Sequence, residues 1–324
     1  MLIQDVFELY SSDLNQVEER MEMYLRSDIR LIPQIIHHII GSGGKRFRPL
    51  LLLAASDLCG YRGEKRYNMA VVIEFVHTAT LLHDDVIDQA DLRRGSVSAN
   101  NIWGNAASVL VGDFLYSMAF KLMTEDGNLA IMKLVSQTTN TMSEGEIFQL
   151  VKCGKIGITE KEYLSIIEKK TSLLISTACA VGGILGKAPA GEIESLTRFG
   201  IRLGSAFQIT DDTLDYVAKE EDFGKAVGKD LAEGKITLPL IWVLKKCSAK
   251  EKNLIRKVVQ KKDEREEALM DIVALIHQYD GLNYAINKAK AYIEEGKNFL
   301  RVFADSEAKT VLLTISDYII ERGF

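Results

Sequence analysis

The chain has 324 residues, 47% of them apolar, enough for one large domain or two ordinary ones with a substantial core. Its net charge of -5 and pI near 5.7 leave no basic footprint, which excludes nucleic acid as a partner and requires any anionic ligand to be met by a local cluster. Cys59, Cys153, Cys179 and Cys247 form no CxxC pair, and Gln4, Asp5 and Glu8 interrupt any signal-like start, so the thiols read as reduced and the protein as cytoplasmic.

The scarcity of proline, at Pro33, Pro49, Pro189 and Pro239 alone, permits long helices. From Leu2 to Leu25, apolar residues at steps of three and four predict the first. Ser27 or Asp28 can cap a second, which carries Ile32, Ile35, Ile36, Ile39 and Ile40 and stops at Gly41. The turn GSGGKRFRP, Gly41 to Pro49, joins glycine-rich backbone to Lys45, Arg46 and Arg48 at the mouth of a helix starting near Pro49, a combination suited to an anion.

Leu50 to Cys59 and Glu64 to Ala90 read as two more helices. Along the second, about 100° per residue sets Asp84, Asp85, Asp88 and Asp91 at about 0°, about 100°, about 40° and about 340°, on one face. His77 lies near 20° on that wheel, about 10 Å upstream, and reads either as a core histidine or as a ligand contact. Arg93 and Arg94 follow, within reach of a second anion.

Helical periodicity resumes over Asn101 to Thr124, Leu129 to Val151 and Thr159 to Leu185, the last opened by a Thr159 and Glu162 capping box. Lys170, beside Thr171, either snorkels at an apolar boundary or faces the anion pocket. The uncharged stretch Thr171 to Gly186 is shorter than the roughly 20 residues that span a bilayer, which predicts a core helix and no membrane span. Ala190 to Val217 carries a second acidic stripe, Asp211, Asp212 and Asp215, with Gln208 one turn upstream.

Lys219 to Pro239 loses periodicity and reads as a lid in which Lys225, Lys229 and Lys235 can close over phosphates. Leu238 to Lys246, Ala249 to Lys261, Glu264 to Gln278, Leu282 to Phe303 and Glu307 to Arg322 complete the helical series. No strand pattern, repeat or linker interrupts it, which predicts one all-α domain over residues 1–324.

Three carboxylates on one partly apolar stripe repel one another and call for a cation. All-oxygen sets suit Mg2+, which takes one or two carboxylates plus phosphate oxygens, so two such stripes predict a diphosphate held through bridging metals. A solvated acidic face is the bland alternative. Two copies, each after an apolar helical run with no lysine beside it, argue against that.

Taken together, GGKRFRP, LLHDDVID with RRG, the Lys170-Thr171 pair, FQITDDTLD and GKDLAEGKITLP, in this order and spanning nearly the whole chain, resemble the trans-isoprenyl diphosphate synthases, or polyprenyl synthetases. The resemblance implies a single antiparallel helical bundle around a deep central cavity, homodimeric, that adds isopentenyl diphosphate head-to-tail to an allylic diphosphate. It implies that Asp84, Asp85, Asp88, Asp211, Asp212 and Asp215 bind three Mg2+ ions on the allylic diphosphate. Arg93, Lys170, Thr171, Gln208, Lys225 and Lys235 would contact that diphosphate, and Lys45, Arg48, His77 and Arg94 would hold isopentenyl diphosphate. Such catalysis is electrostatic and needs no protein nucleophile.

Short-chain members of that family block the growing tail with bulky residues four and five positions before the first aspartate, where this chain has Thr80 and Ala79. With that gate open, Ile147, Phe148 or Val151 are candidate stoppers, and a product of about seven to nine isoprene units is expected. A farnesyl or geranylgeranyl product is the alternative, and peripheral delivery of a lipid product to a membrane fits either length. A terpene cyclase pairs Asn, Ser and Glu at its second metal site, unlike this chain. An HD phosphohydrolase needs a fuller histidine set than His37, His38, His77, His83 and His277 supply. A non-catalytic partner subunit has no reason to keep so much unneutralised charge.

Overall fold

The structure, a computed structural model, describes residues 1–41, 43, 46–93, 95–217, 228–260 and 265–321. It is all-α apart from one two-residue hairpin, and it divides into two compact units. Unit 1 comprises Met1–Thr139, Leu174–Thr197 and Val302–Thr314, and unit 2 comprises Asn140–Leu173, Arg198–Arg301 and Ile315–Phe324. The boundaries fall inside helices rather than in linkers.

In unit 1 the predicted first helix is two, α1 (Ile3–Leu9) and α2 (Ser11–Tyr24), which meet at Tyr10 (φ -96°, ψ 8°). The tyrosine leaves helical geometry while its buried ring carries a hydroxyl to Asp57 Oδ2 at 3.1 Å. After α3 (Leu31–Gly41) and α4 (Phe47–Leu58) comes α5 (Lys65–Ile87), buried from Met69 to Val76 on all sides, as a helix apolar all round must be. The hairpin, β1 (Leu92–Arg93) and β2 (Ser96–Val97), pairs Arg93 with Ser96 where no strand pattern was legible.

The next predicted helix is also broken, into α6 (Ala99–Trp103) and α7 (Asn105–Asp126), because Gly104 takes φ +83°. Helix α7 packs antiparallel along α5: Lys65 Nζ pairs with Asp126 at 2.9 Å at one end, and His83 Nε2 donates to the Val109 carbonyl at 3.2 Å at the other. Among the described residues α7 is long and apolar enough to cross a membrane by length and composition, yet its stripe Val111, Leu115, Ala119 and Leu122 is buried within this unit.

Helix α8 (Leu129–Lys152) leads into α9 (Glu160–Ile167), a π-turn (Glu168–Ser172) and α10 (Leu173–Leu185). The expected capping box is present, with Thr159 Oγ1 accepting from the Glu162 amide at 3.2 Å and Glu162 Oε2 from the Thr159 amide at 2.8 Å. The π-turn was not legible as such. The uncharged stretch is a core helix: Gly182 on α10 lies so close to α4 that a Cβ there would stand 2.6 Å from Ser56 N and 2.8 Å from the Leu52 carbonyl.

Unit 2 is built on the C-terminal half of α11 (Ala190–Leu214), with α12 (Lys229–Ala232), α13 (Leu238–Lys246), α14 (Ala249–Gln260), α15 (Arg265–Gln278), α16 (Gly281–Phe299) and the end of α17 (Glu307–Glu321). Gly204 lets α11 approach the π-turn, where Ser172 and Ser205 share a 3.0 Å hydroxyl bond. All four cysteines are free thiols.

Candidate active site

In unit 1, α5 stops directly after its aspartates. Gln89 takes the left-handed conformation (φ +52°), the Ala90 amide donates to the Asp85 carbonyl at 3.0 Å, and the Gln89 amide to that of Val86 at 3.4 Å. This pair of bonds closes a helix C-terminus and turns the chain sideways. Asp91 therefore leaves the stripe on which helical projection put it. Its carboxylate accepts from Asn101 Nδ2 at 2.9 Å and its carbonyl from the Ser98 amide.

The remaining three aspartates do not share one environment. Asp84 and Asp88 are half-buried, whereas Asp85 is 1% exposed and clamped by Arg93. The guanidinium donates Nε to Oδ1 at 2.7 Å and to Oδ2 at 2.8 Å, and its Nη2 stands 2.6 Å from Oδ1. The hairpin is what brings Arg93 back over α5. Beside them, burial and then the Asp84 charge push the Tyr116 hydroxyl up to about 12. His83 stacks on Tyr116 and fits a notch at Gly112, where any Cβ would collide with its ring.

The basic turn splits. Arg46 points into Glu18 (3.3 Å) and Glu74 (3.5 Å), so it braces the fold. Arg48 is half-buried on the first turn of α4, and His77 is half-buried on α5. Lys45 and Arg94 lie outside the described residues. Of the two gate positions, Ala79 is fully buried, and Thr80 is half-buried with its hydroxyl donating to the His77 carbonyl at 2.7 Å.

In unit 2 the second stripe shows the same division of labour. Asp211 is exposed, and Asp215 Oδ2 accepts from the Asp230 amide at 2.9 Å at the start of α12. Asp212 is 6% exposed, with Oδ2 accepting from the Tyr163 hydroxyl at 2.6 Å and Oδ1 from Gln208 Nε2 at 2.7 Å. Thr171 Oγ1 donates to Gln208 Oε1 at 2.7 Å, which fixes the amide the right way round. Burial pushes Asp212 up to about 6 despite these donors, with the Asp211 and Asp215 charges adding to the rise. Asp230 is raised too, by burial and by Asp212 and Asp215.

Lys170 pairs with Glu146 at 2.7 Å and Lys235 with Glu233 at 2.6 Å, while Lys225 lies outside the described residues. Lys229 begins α12, and its side chain is likewise outside them. The candidate stoppers lie on α8. Ile147 and Val151 are 62% and 52% exposed, and the Phe148 ring carries Lys152 Nζ 5.6 Å from its centre. They follow Glu146, the partner of Lys170, along the same helix.

Tyr163, Glu146 and Asp230 went unread in the sequence. Only Tyr163 left a signal, as an apolar-face tyrosine on α9 whose hydroxyl needs a buried partner. Among the described residues no three His, Cys, Asp or Glu side chains converge tightly enough to hold an ion by themselves. That donor set still fits magnesium. All its candidate ligands are carboxylate oxygens, and Mg2+ takes one or two of these while keeping waters or phosphate oxygens.

Residues 29–276 match the polyprenyl synthetase family. The chain is 37% identical over 324 residues to the octaprenyl diphosphate synthase of Haemophilus influenzae, covering 100% of this chain and 98% of that one. It is 38% identical over 292 residues to a geranylgeranyl diphosphate synthase of Methanosarcina mazei, covering 89% and 88%. A decaprenyl diphosphate synthase of Rhodobacter capsulatus has a solved structure that superposes with a TM-score of 0.95 at 36% identity, over 99% of each chain. With the helices, both aspartate groups and their matched order in place, the chain belongs to the polyprenyl synthetase family.

Proposed function

We propose that this chain is an all-trans-polyprenyl diphosphate synthase, which condenses isopentenyl diphosphate head-to-tail with an allylic diphosphate to a long product of about seven to nine isoprene units. The observation that carries this reading is the pair of aspartate groups. In each, one carboxylate is buried against side-chain donors and the other two are half-buried or exposed. Residues 1–324 then act as a single catalytic domain. Asp84, Asp88, Asp211 and Asp215 would hold about three magnesium ions on the allylic diphosphate. When bound, they supply positive charge to the diphosphate as the allylic C–O bond breaks.

This chain's own residues bind and orient. Arg93, Lys170, Thr171, Gln208, Lys225 and Lys235 would bind the allylic diphosphate, and Lys45, Arg48, His77 and Arg94 would bind isopentenyl diphosphate. Lys170 exchanges Glu146 for a phosphate oxygen, and Lys235 does the same with Glu233. The 225–235 segment, whose residues 225–227 lie outside the described ones, would exclude water from the reacting carbon.

The small gate residues Ala79 and Thr80 and the full-length likeness to an octaprenyl synthase support a long product. The likeness to a geranylgeranyl synthase supports the shorter alternative. The exposed Ile102, Leu110 and Phe120 on α6 and α7 support a homodimer, and a cytoplasmic enzyme would pass its lipid product to a membrane surface. Radiolabelled isopentenyl diphosphate, a series of allylic primers and Mg2+, followed by chromatography of the products, tests all of this. Products of C35 to C45 are expected. A ladder ending at C15 or C20 selects the shorter reading, and no incorporation by the isolated chain selects a partner-dependent subunit.

A further inference from the structure

We propose that Tyr163 is a positioning residue that keeps Asp212 folded inward, so that Asp211 and Asp215 alone present carboxylates to the metal-diphosphate ligand. The inference rests on the magnesium reading above.

Asp212 follows Asp211 directly, and Asp215 lies one turn on, so an outward swing of its carboxylate would add a third charge to that stripe. Both of its oxygens are occupied instead: Oδ2 by the Tyr163 hydroxyl at 2.6 Å and Oδ1 by Gln208 Nε2 at 2.7 Å. Gln208 cannot do this alone, because a single amide leaves one carboxylate oxygen of a buried group without a donor. Tyr163 is 4% exposed and is itself held rigidly. It is the residue after the capping box of α9, and its amide donates to the Thr159 carbonyl at 3.0 Å. Glu162 of that box is tied to Lys152 at 2.6 Å.

The same hydroxyl acts at a distance on the ligand face. With Asp212 fixed, Gln208 is fixed through its amide and Thr171 through its 2.7 Å bond to Gln208 Oε1. Loss of one phenolic oxygen would therefore loosen three side chains, two of which face the allylic diphosphate.

The test is Tyr163→Phe, which keeps the ring and removes the donor. Tyr67→Phe serves as its match, because Tyr67 in unit 1 also donates to an aspartate, Asp13, at 2.7 Å and is also buried. Calorimetric titration of inorganic pyrophosphate with Mg2+ into each protein gives a readout that needs no turnover. Tyr163→Phe is expected to weaken that binding and lower kcat by about tenfold or more, with KM for isopentenyl diphosphate unchanged, while Tyr67→Phe keeps wild-type values in both. In an Asp212→Ala background, where the hydroxyl has no side chain to hold, Tyr163→Phe should cause no further loss.

Wild-type pyrophosphate binding and kcat in Tyr163→Phe, even with a lowered melting temperature, would reduce Tyr163 to a packing residue and overturn the inference. A full further loss on top of Asp212→Ala would overturn it as well. Failure of the wild-type enzyme to bind magnesium pyrophosphate would instead remove the metal assignment of Asp211 and Asp215, and this inference with it.

Discussion

The Asp85 and Arg93 pair yields an asymmetric prediction. Asp85 is 1% exposed, and Arg93 keeps 26% of its side chain in solvent. Removing the arginine strands a carboxylate in the interior, for which the cost is about 3–5 kcal/mol. Removing the carboxylate strands a guanidinium that can turn toward water, so Asp85→Asn should cost only about 1.5–3 kcal/mol, the worth of its charge-assisted hydrogen bonds. Arg93→Ala is thus the more damaging single change, although arginine is the more exposed partner. The double variant removes both charges and should be more stable than Arg93→Ala alone, with a coupling of about 2 kcal/mol. Urea denaturation of chelator-treated protein measures each corner of the cycle without interference from metal or substrate. Additive costs, or an Arg93→Ala variant within about 0.5 kcal/mol of wild type, would mean that the clamp is a surface contact and the reasoning is wrong.

Four further outcomes are expected. Gly182→Ala should destabilise the protein by about 1–3 kcal/mol in thermal or urea melts, because the atoms in its way are two backbone atoms of α4 and the Ala55 Cβ, none of which can yield as a flexible side chain would. Gln89→Gly should raise stability by roughly 0.5–1 kcal/mol, since a left-handed residue loses its Cβ strain; an unchanged midpoint would count against the helix stop described above. Thr80→Phe should shift the product profile to shorter chains, whereas Ala79→Tyr, at a fully enclosed position, should chiefly lower the melting temperature; product chromatography and melting curves separate the two. In metal-free protein, Asp212 and Asp230 have raised pKa values, so the stability they contribute is complete below about pH 4 and is lost as pH rises through about 6 for Asp212. Urea midpoints taken with chelator from pH 4 to pH 7 should fall less steeply in Asp212→Asn, and added Mg2+ should flatten the wild-type slope.

The helices were legible because their period is local: α5, α8 and α11 announce themselves in steps of three and four. What escaped notice depends on single backbone torsions or on partners distant in sequence. Gly104 and Gln89 adopt positive φ, and nothing around Gln89 in the sequence marks it as the end of a helix. The acidic groups were legible as motifs and as a chemistry, but a helical wheel assigns direction only to the Cα–Cβ bond. It gave no hint that Asp85 meets a guanidinium eight residues on, or that Asp212 meets a phenol 49 residues earlier.

The two aspartate groups also explain each other. Adjacent residues on a helix diverge by about 100°, so of two neighbouring aspartates only one can point squarely along the stripe with the third. The other must turn inward and be met there by a cation or by hydrogen-bond donors. In unit 1 the inward partner is cationic, and Arg93 cancels Asp85 outright. In unit 2 the donors are neutral, a phenol and an amide, so the inward charge survives and burial, which these donors only partly offset, pushes Asp212 up to about 6. The second group is therefore the one whose stability and geometry depend on an added cation. Magnesium should stabilise Asp85→Asn as well as wild type, but should stabilise Asp212→Asn distinctly less, because in that variant one of the charges it would relieve is already gone. Equal stabilisation of both variants, read as the rise in melting temperature with Mg2+ and pyrophosphate, would mean that the two groups are electrostatically equivalent and that the identity of the inward donor does not matter.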